Sequence, residues 1–429
     1  MKITCIGTGF VGVVTTAVLA KLGNEVVGLD INENKIAKLK EGIVPFFEPG
    51  LSELLIETQK SGNLTFTTDY SSAVPGSDVV MIMVGTPSAA DGSADLRFVD
   101  SVAGSIAPHL IDNAVVVVKS TVPPGTNKHV REIISALTDK TFHMASVPEF
   151  LKEGTAVEDT LHPDRIVLGV ENDFAKAILT KLHEPLTKNI LVMNPESAQM
   201  TKYAANNYLA TRITFINQIA DLCEYNGADI EEVIKGIGAD RRIGPQYWYP
   251  GLGYGGSCFP KDVKEMAAYA KKVGENNSLF ITIDDLNEKR IEKKLEQYSH
   301  EIGGFSGKTV AVLGLSFKKN TNDTRVAPAL YVIPHLIKEG ASIRATDPQA
   351  IEEAKALLPE NVVYTTTVDE AVKGANILML LVEWDDYTDL DLTKLKALMS
   401  NNPVFIDTRN QYEAEKVTNA GFKYQGIGR

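Results

Sequence analysis

A chain of 429 residues is too long for one ordinary hydrophobic core and implies two or three domains. Its 44% hydrophobic and 23% charged residues exclude a fibrous or disordered protein. The net charge of −12 argues against a nucleic-acid partner, which calls for a basic field, but still allows an anionic small ligand held by backbone N–H groups and a few Arg or Lys. The three cysteines, Cys5, Cys223 and Cys258, form no CxxC pair and no even disulfide framework. A reducing, cytoplasmic compartment and no bound metal are therefore expected. No run of about 20 apolar residues is present, so no membrane span is expected. The opening MKITCIGTGFVG is not read as a signal peptide, because its apolar run is cut by three glycines.

The first predicted strand, residues 2–6, runs into Gly7-Thr8-Gly9-Phe10-Val11-Gly12, which opens a helical pattern. In a strand–turn–helix context these three glycines permit a tight turn, close backbone approach to a pyrophosphate, and close helix–strand packing. The diphosphate sits at the helix N-terminus, where free N–H groups and the helix dipole favour an anion. A second strand, 25–29, ends at Asp30. A carboxylate at that spacing accepts bonds from ribose hydroxyls and repels a 2′-phosphate, which selects NAD over NADP. The other reading of Asp30 is a cap for the helical stretch 32–40. Further strands are predicted at 79–84, 115–119 and 166–170. Thr121 follows the fourth of these, at the strand end where active groups of such folds gather. Pro148 to Gly154 (PEFLKEG) places Glu149 and Glu153 in a strand-to-helix connection, either as a base or as ordinary helix N-terminal charge.

From about residue 195 to 305 the texture becomes helical, with predicted helices at 200–227, 262–273 and 281–302. Lys202 and Asn206 stand one turn apart on one face. Such a pair can stabilise an oxyanion, or be a surface lysine and a surface amide. Gly253 to Asp262 (GYGGSCFPKD) sets Cys258 directly after a glycine-rich turn and ahead of a helix, an unusual position for a core cysteine. Lys261, Asp262 and the helix start can tune its thiolate. Cys5, inside a strand, and Cys223, among helical apolar residues, read as small buried hydrophobes. A second α/β unit begins near Lys308, with strands at 308–314, 342–347, 375–382 and 404–407 that echo the first unit. Its first turn, Gly314 to Lys319, keeps only one glycine of the fingerprint. A second dinucleotide site is not expected there. The basic loop suits a phosphate, or equally is a solvated lysine pair.

Strands alternating with helices imply an α/β protein: two Rossmann-like doubly wound parallel-sheet domains joined by a mainly helical central region. The expected boundaries are 1–195 for NAD binding, 196–304 for the helical region with the cysteine turn, and 305–429 for the second Rossmann-like domain. The apolar helix surface of the central region also suggests a homodimer.

Across the whole chain, GTGFVG, VGTP, KSTVPPGT, PEFLKEGTA, KYAANN, RRIGP, GYGGSCFPKD, SFKKNTNDTR and IDTRN occur in the order found in the UDP-glucose 6-dehydrogenase family. The chain resembles that family and its GDP-mannose relatives. N-acetyl-hexosamine relatives usually carry His where this sequence has Ser257. The resemblance implies two NAD-dependent oxidations of the C6 alcohol of UDP-glucose to the carboxylate. By the same resemblance Cys258 is the nucleophile, Lys202 and Asn206 stabilise negative charge, Asp262 and Thr121 position water and move protons, and Glu149 assists thioester hydrolysis. Cofactor contacts carried over are Gly7, Gly9, Phe10, Val11, Gly12, Asp30, Lys35, Thr86, Thr121, Glu153 and Arg325. Substrate contacts carried over are the stretch Glu149, Phe150, Leu151, Lys152 and Glu153, together with Lys202, Asn206 and Arg242. To these the resemblance adds Tyr249, Gly251, Gly253, Tyr254, Gly255, Phe317, Lys318 and Arg409. The competing readings are the same chemistry on GDP-mannose or another UDP-hexose, and an NAD-binding redox sensor that uses Cys258 as a switch. The oxyanion partners Lys202 and Asn206 disfavour a sensor, which needs none.

Overall fold

The computed structural model describes residues 1–429, which divide into two compact units, Met1–Ala205 and Asn206–Arg429. The first is built on an eight-stranded sheet of β1 (Lys2–Ile6), β2 (Glu25–Leu29), β3 (Leu64–Thr67), β4 (Val79–Ile82), β5 (Ala114–Val118), β6 (Phe142–Ser146), β7 (Ile166–Val170) and β8 (Ile190–Met193). Their order across the sheet is β3-β2-β1-β4-β5-β6-β7-β8. The order reverses between β1 and β4, which is the switch point where open α/β sheets bind ligands. Both faces are covered, so the central strands read as continuous apolar runs. β5 is Ala-Val-Val-Val-Val, buried throughout. Alternate residues still divide between two cores. Ile3, Cys5, Val79, Met81, Val115 and Val117 enter one; Ile6, Val80, Ile82, Val116 and Val118 enter the other.

One expectation is corrected here. The strand at 166–170 is not parallel to its neighbour: β7 pairs antiparallel with β6, Ser146 opposite Gly169, and β8 follows β7 in parallel. Periodicity records which residues are buried but not which way a strand runs.

In the second unit the six-stranded sheet is wholly parallel. It comprises β9 (Thr309–Leu313), β10 (Ser342–Thr346), β11 (Val363–Tyr364), β12 (Ile377–Leu380), β13 (Val404–Asp407) and β14 (Lys423–Gln425). Its order, β11-β10-β9-β12-β13-β14, puts a second switch point between β9 and β12. The unit also holds the helices Ile230–Gly238, Phe259–Lys272 and Leu279–Ile302 and the greater part of the long helix Pro195–Asn226. Ile216, Ala220 and Cys223 of the long helix and Leu295 and Tyr298 of the third share one core with the sheet residues Val310 to Leu313. Between those two helices Asp221 is buried against Arg290 (3.1 Å) and Lys294 (3.0 Å). Replacing one partner of such a cluster strands the others without water, so it fixes how the helices pack.

The helix expected from residue 200 starts at Pro195, where Asn194 Oδ1 accepts the Ser197 N–H (2.7 Å). Proline suits a first helical turn because its missing N–H has no partner there in any case.

Candidate active site

The first turn of the chain is shaped for a flat, anionic ligand. Gly7 has φ +99°, and a Cβ there would lie 2.6 Å from the Met83 carbonyl oxygen. A Cβ on Gly12 would collide with the Gly7 carbonyl. At Gly9, by contrast, a Cβ would meet nothing within 4 Å: the space above the helix N-terminus is open. The helix Phe10–Lys21 carries no acidic residue in its first turn to compete with an anion. Phe10 rests on Phe46, ring centroids 4.8 Å apart, and Val11 is half-buried.

At the end of β2, Asp30 Oδ2 accepts the Thr8 N–H (2.9 Å), the Thr8 hydroxyl (2.8 Å) and Lys35 Nζ (2.9 Å). Burial raises the Asp30 pKa, but Lys35 and the Thr8 and Asn32 amides outweigh it and hold the carboxyl below its ordinary value. Asp30 is therefore ionised, as recognition of ribose hydroxyls requires. The helix that follows is capped by Asn32 instead, which settles the alternative reading of Asp30. Beyond β4, the buried Thr86 hydroxyl donates to the Thr121 carbonyl (2.8 Å), tying the two strand ends beside the switch point together.

The 147–165 connection leaves the carboxyl end of β6. Glu149 is buried, accepting Lys202 Nζ on Oε1 (2.8 Å) and the Leu151 N–H on Oε2 (2.9 Å). Phe150 carries the Arg165 guanidinium at 3.7 Å and Lys202 Nζ at 5.5 Å from its ring centroid. Lys152 is exposed and bound to Asp159, and Glu153 is half-buried.

In the second unit, Cys258 is exposed and sits at the N-cap of the helix Phe259–Lys272. The positive helix end favours the thiolate. One turn on, Asp262 is buried, accepts Asn206 Nδ2 (2.6 Å) on Oδ2 and lies 2.7 Å from Lys261 Nζ through Oδ1. The preceding turn is clamped on several sides. Gly251 donates to Asn217 Oδ1 (2.8 Å) and its carbonyl accepts Arg290 Nε. Asn287 bonds both the N–H (2.8 Å) and the carbonyl (3.1 Å) of the buried Tyr254. Gly253, at φ +102°, leaves room for Asn287, Gly255 for the Val326 carbonyl, and Gly256 for the Phe317 ring. Arg409 is paired with Glu383 (2.7 Å) beside Gly251, and Lys318 lies over Phe317.

Not every expected contact is gathered this way. Arg242 is exposed, bonded to its neighbour Asp240, and Tyr249 is exposed with its ring against Tyr247. Arg325 is exposed and paired with Asp323.

Residues 1–187 match the NAD binding domain of the UDP-glucose/GDP-mannose dehydrogenase family, 196–289 its central domain and 311–414 its UDP binding domain. A UDP-glucose 6-dehydrogenase of Bacillus subtilis (TuaD) is 44% identical, over 100% of this chain and 93% of that protein. The chain belongs to the UDP-glucose/GDP-mannose dehydrogenase family. Among solved structures, a UDP-glucose dehydrogenase from Pyrobaculum islandicum superposes with a TM-score of 0.93 at 35% identity, covering 99% of this chain and 97% of that one. A GDP-mannose dehydrogenase of Pseudomonas aeruginosa reaches a TM-score of 0.56 at 29% identity, with full coverage of both chains.

Sequence reasoning missed the residues that hold these two turns in place. Glu48 is buried and caps the Gly154 and Ala156 N–H groups (2.6 Å each), pinning the PEFLKEG segment from more than 100 residues away in the chain. Asn217, Asn287 and Arg290 do the same for the cysteine turn. A lone Glu or Asn outside any motif gives no signal of such a role; only a buried polar group looking for its partner does. The other two cysteines are inert by environment: burial pushes the Cys5 thiol up to about 12 and raises that of Cys223. No helix is long and apolar enough to cross a membrane.

Proposed function

We propose that the chain oxidises the C6 alcohol of UDP-glucose to the carboxylate in two NAD-dependent steps, in the cytoplasm. The observation that carries this reading is full-length similarity to UDP-glucose 6-dehydrogenases combined with an exposed thiol at a helix N-terminus, one turn from a buried carboxylate. In this reading residues 1–195 bind NAD, 196–304 carry the cysteine turn and the dimer contact, and 305–429 bind the UDP moiety. The open space at Gly9 and the ionised Asp30 fit a dinucleotide with a free 2′-hydroxyl, held also through Gly7, Phe10, Val11, Gly12, Lys35, Thr86, Thr121, Glu153 and Arg325. Bound there, NAD takes up one hydride at each oxidation.

Lys202 and Asn206 lower the cost of negative charge on the sugar oxygen. The Cys258 thiolate adds to the aldehyde carbon and gives a thiohemiacetal, whose carbon can lose a second hydride to become a thioester. Water, oriented by Asp262 and Thr121 and aided by Glu149, attacks the thioester; the carboxylate leaves and the thiolate is restored. The 149–153 stretch, Arg242, Tyr249 to Gly255, Phe317, Lys318 and Arg409 bind the nucleotide sugar, with guanidinium groups suited to the diphosphate. Tyr208, Phe215 and Leu222 recur every seven residues on the long helix and are 60%, 51% and 59% exposed, an apolar stripe that supports a homodimer.

Incubation with NAD and separate nucleotide sugars, counting NADH per sugar, tests the reading. Two NADH and free acid from UDP-glucose are expected; one NADH per sugar, or higher kcat/KM on GDP-mannose, overturns it.

A further inference from the structure

The second switch point holds a polar cluster that the proposed chemistry does not use. At the end of β10 the buried Asp347 accepts, on Oδ2, the N–H of Leu315 (2.7 Å), the N–H of Ser316 (3.1 Å), the Ser316 hydroxyl (3.2 Å) and the indole Nε1–H of Trp384 (3.1 Å). Its Oδ1 accepts the Gln349 and Ala350 N–H groups (2.8 Å each). Trp384 Nε1 also lies 3.2 Å from the Ser316 hydroxyl, which reaches the Lys318 carbonyl at 2.8 Å. Trp384 is itself buried. One indole N–H thus closes a ring of bonds around the turn from Leu315 to Lys318. A buried carboxylate sharing several donors is costly to disturb, because each donor left behind stays dry and unpaired.

That turn bears directly on the cysteine. The Phe317 N–H donates to the Asp323 carbonyl (3.0 Å). The Phe317 ring lies so close to Gly256 that a Cβ there would come within 2.7 Å of it. Gly256 in turn donates to the Arg325 carbonyl (3.1 Å), and Cys258 follows two residues later. A shift of the Leu315–Lys318 turn is therefore felt first by the Phe317 ring, then by the glycine turn, then by the thiol.

We infer that Trp384 is a positioning residue: through Asp347 and Ser316 it fixes the Leu315–Lys318 turn, and so sets where the Phe317 ring supports the glycine turn that presents Cys258. The inference rests on the reading above for its substrate but not for its geometry.

Trp384→Phe keeps the ring and removes only the N–H. Three quantities are compared with the wild type: the rate of Cys258 alkylation by iodoacetamide, KM for UDP-glucose against KM for NAD, and Tm. The expected result is an alkylation rate changed by about threefold or more and a KM for UDP-glucose raised roughly five- to tenfold. The KM for NAD should stay within about twofold, since the Gly7–Gly12 turn shares no bond with Trp384. Ser316→Ala should shift the same quantities in the same direction, and it decides the matter if the Phe variant does not fold. Unchanged alkylation and unchanged KM in a folded variant overturn the inference. So does a matched rise in both KM values with a fall in Tm, which marks general loosening. The alkylation arm needs no turnover. A wild type inactive on UDP-glucose therefore sinks the substrate reading alone.

Discussion

The two switch points share a plan and differ in what completes it. Each has a glycine with positive φ closing its first strand, Gly7 and Gly314, pressed against the neighbouring strand end. Each has an aspartate closing its second, Asp30 and Asp347, that accepts the N–H groups of the first turn. At Asp30 the side-chain donors include a half-buried lysine, and the space above Gly9 is open. At Asp347 the side-chain donors include a buried tryptophan from the loop that follows β12. The same strand-end carboxylate thus keeps a side-chain partner that can turn to solvent at one switch point and is locked among buried donors at the other.

Four experiments bear on that contrast, in falling order of effect. Cys258→Ala, on the turn supported by the second switch point, should abolish acid formation by about a thousandfold or more. NAD binding at the first should be untouched; a matching loss of NAD affinity in calorimetry would mean that the two turns do not act separately.

Next, Asp347→Ala should cost about 3–5 kcal/mol of stability, because it leaves several buried donors unpaired. Asp30→Ala, with a partner that can turn to water, should cost only about 1 kcal/mol. Equal shifts in urea unfolding would erase the distinction.

The smallest effects belong to Asp30 itself. Its replacement by Ala should lower the NAD-over-NADP preference roughly tenfold or more, while Asp347→Asn leaves that preference alone. Asp30 has a folded pKa below its ordinary 3.8, the pull of Lys35 and the Thr8 amide outweighing the effect of burial. Its contribution to stability is therefore present above that ordinary value and is lost as pH falls through the lower folded one. The Tm gap between wild type and Asp30→Asn should be constant from about pH 5 to 7 and narrow steadily as the pH falls below 3.8. A gap that persists in acid would assign it to shape and not to charge.

Much of this could be read from the sequence, and the rest was hidden for physical reasons. Gly7, Gly9, Gly12 and Asp30 were legible because a turn against a strand leaves few residue choices. That Cys258 is not a core cysteine was legible from its place after Gly255-Gly256 and ahead of a helix, and it is exposed. Short strands such as Leu64–Thr67 and Ile190–Met193 were missed, since the first is only four residues long and the second is a partly exposed edge. Asp347 was read only as the end of a strand, because its importance lies in donors contributed by Leu315, Ser316 and Trp384, distant in sequence.

The reversal at β7 has a consequence for how this protein can vary. A parallel crossover must carry the chain back across the sheet, so its length and hydrophobic pattern are bound to the core it covers. Because β7 runs antiparallel to β6, the 147–165 connection leaves and re-enters the sheet at one edge, the edge that faces ligands. Val147 and Ala156 of this connection still join the core, with Leu151, Val157 and Leu161 packed against it, while Glu48 pins the Gly154 and Ala156 N–H groups between them. Changes confined to its exposed residues, such as Lys152 and Thr155, leave the eight strands to fold as before, because no crossover has to be rebuilt around them.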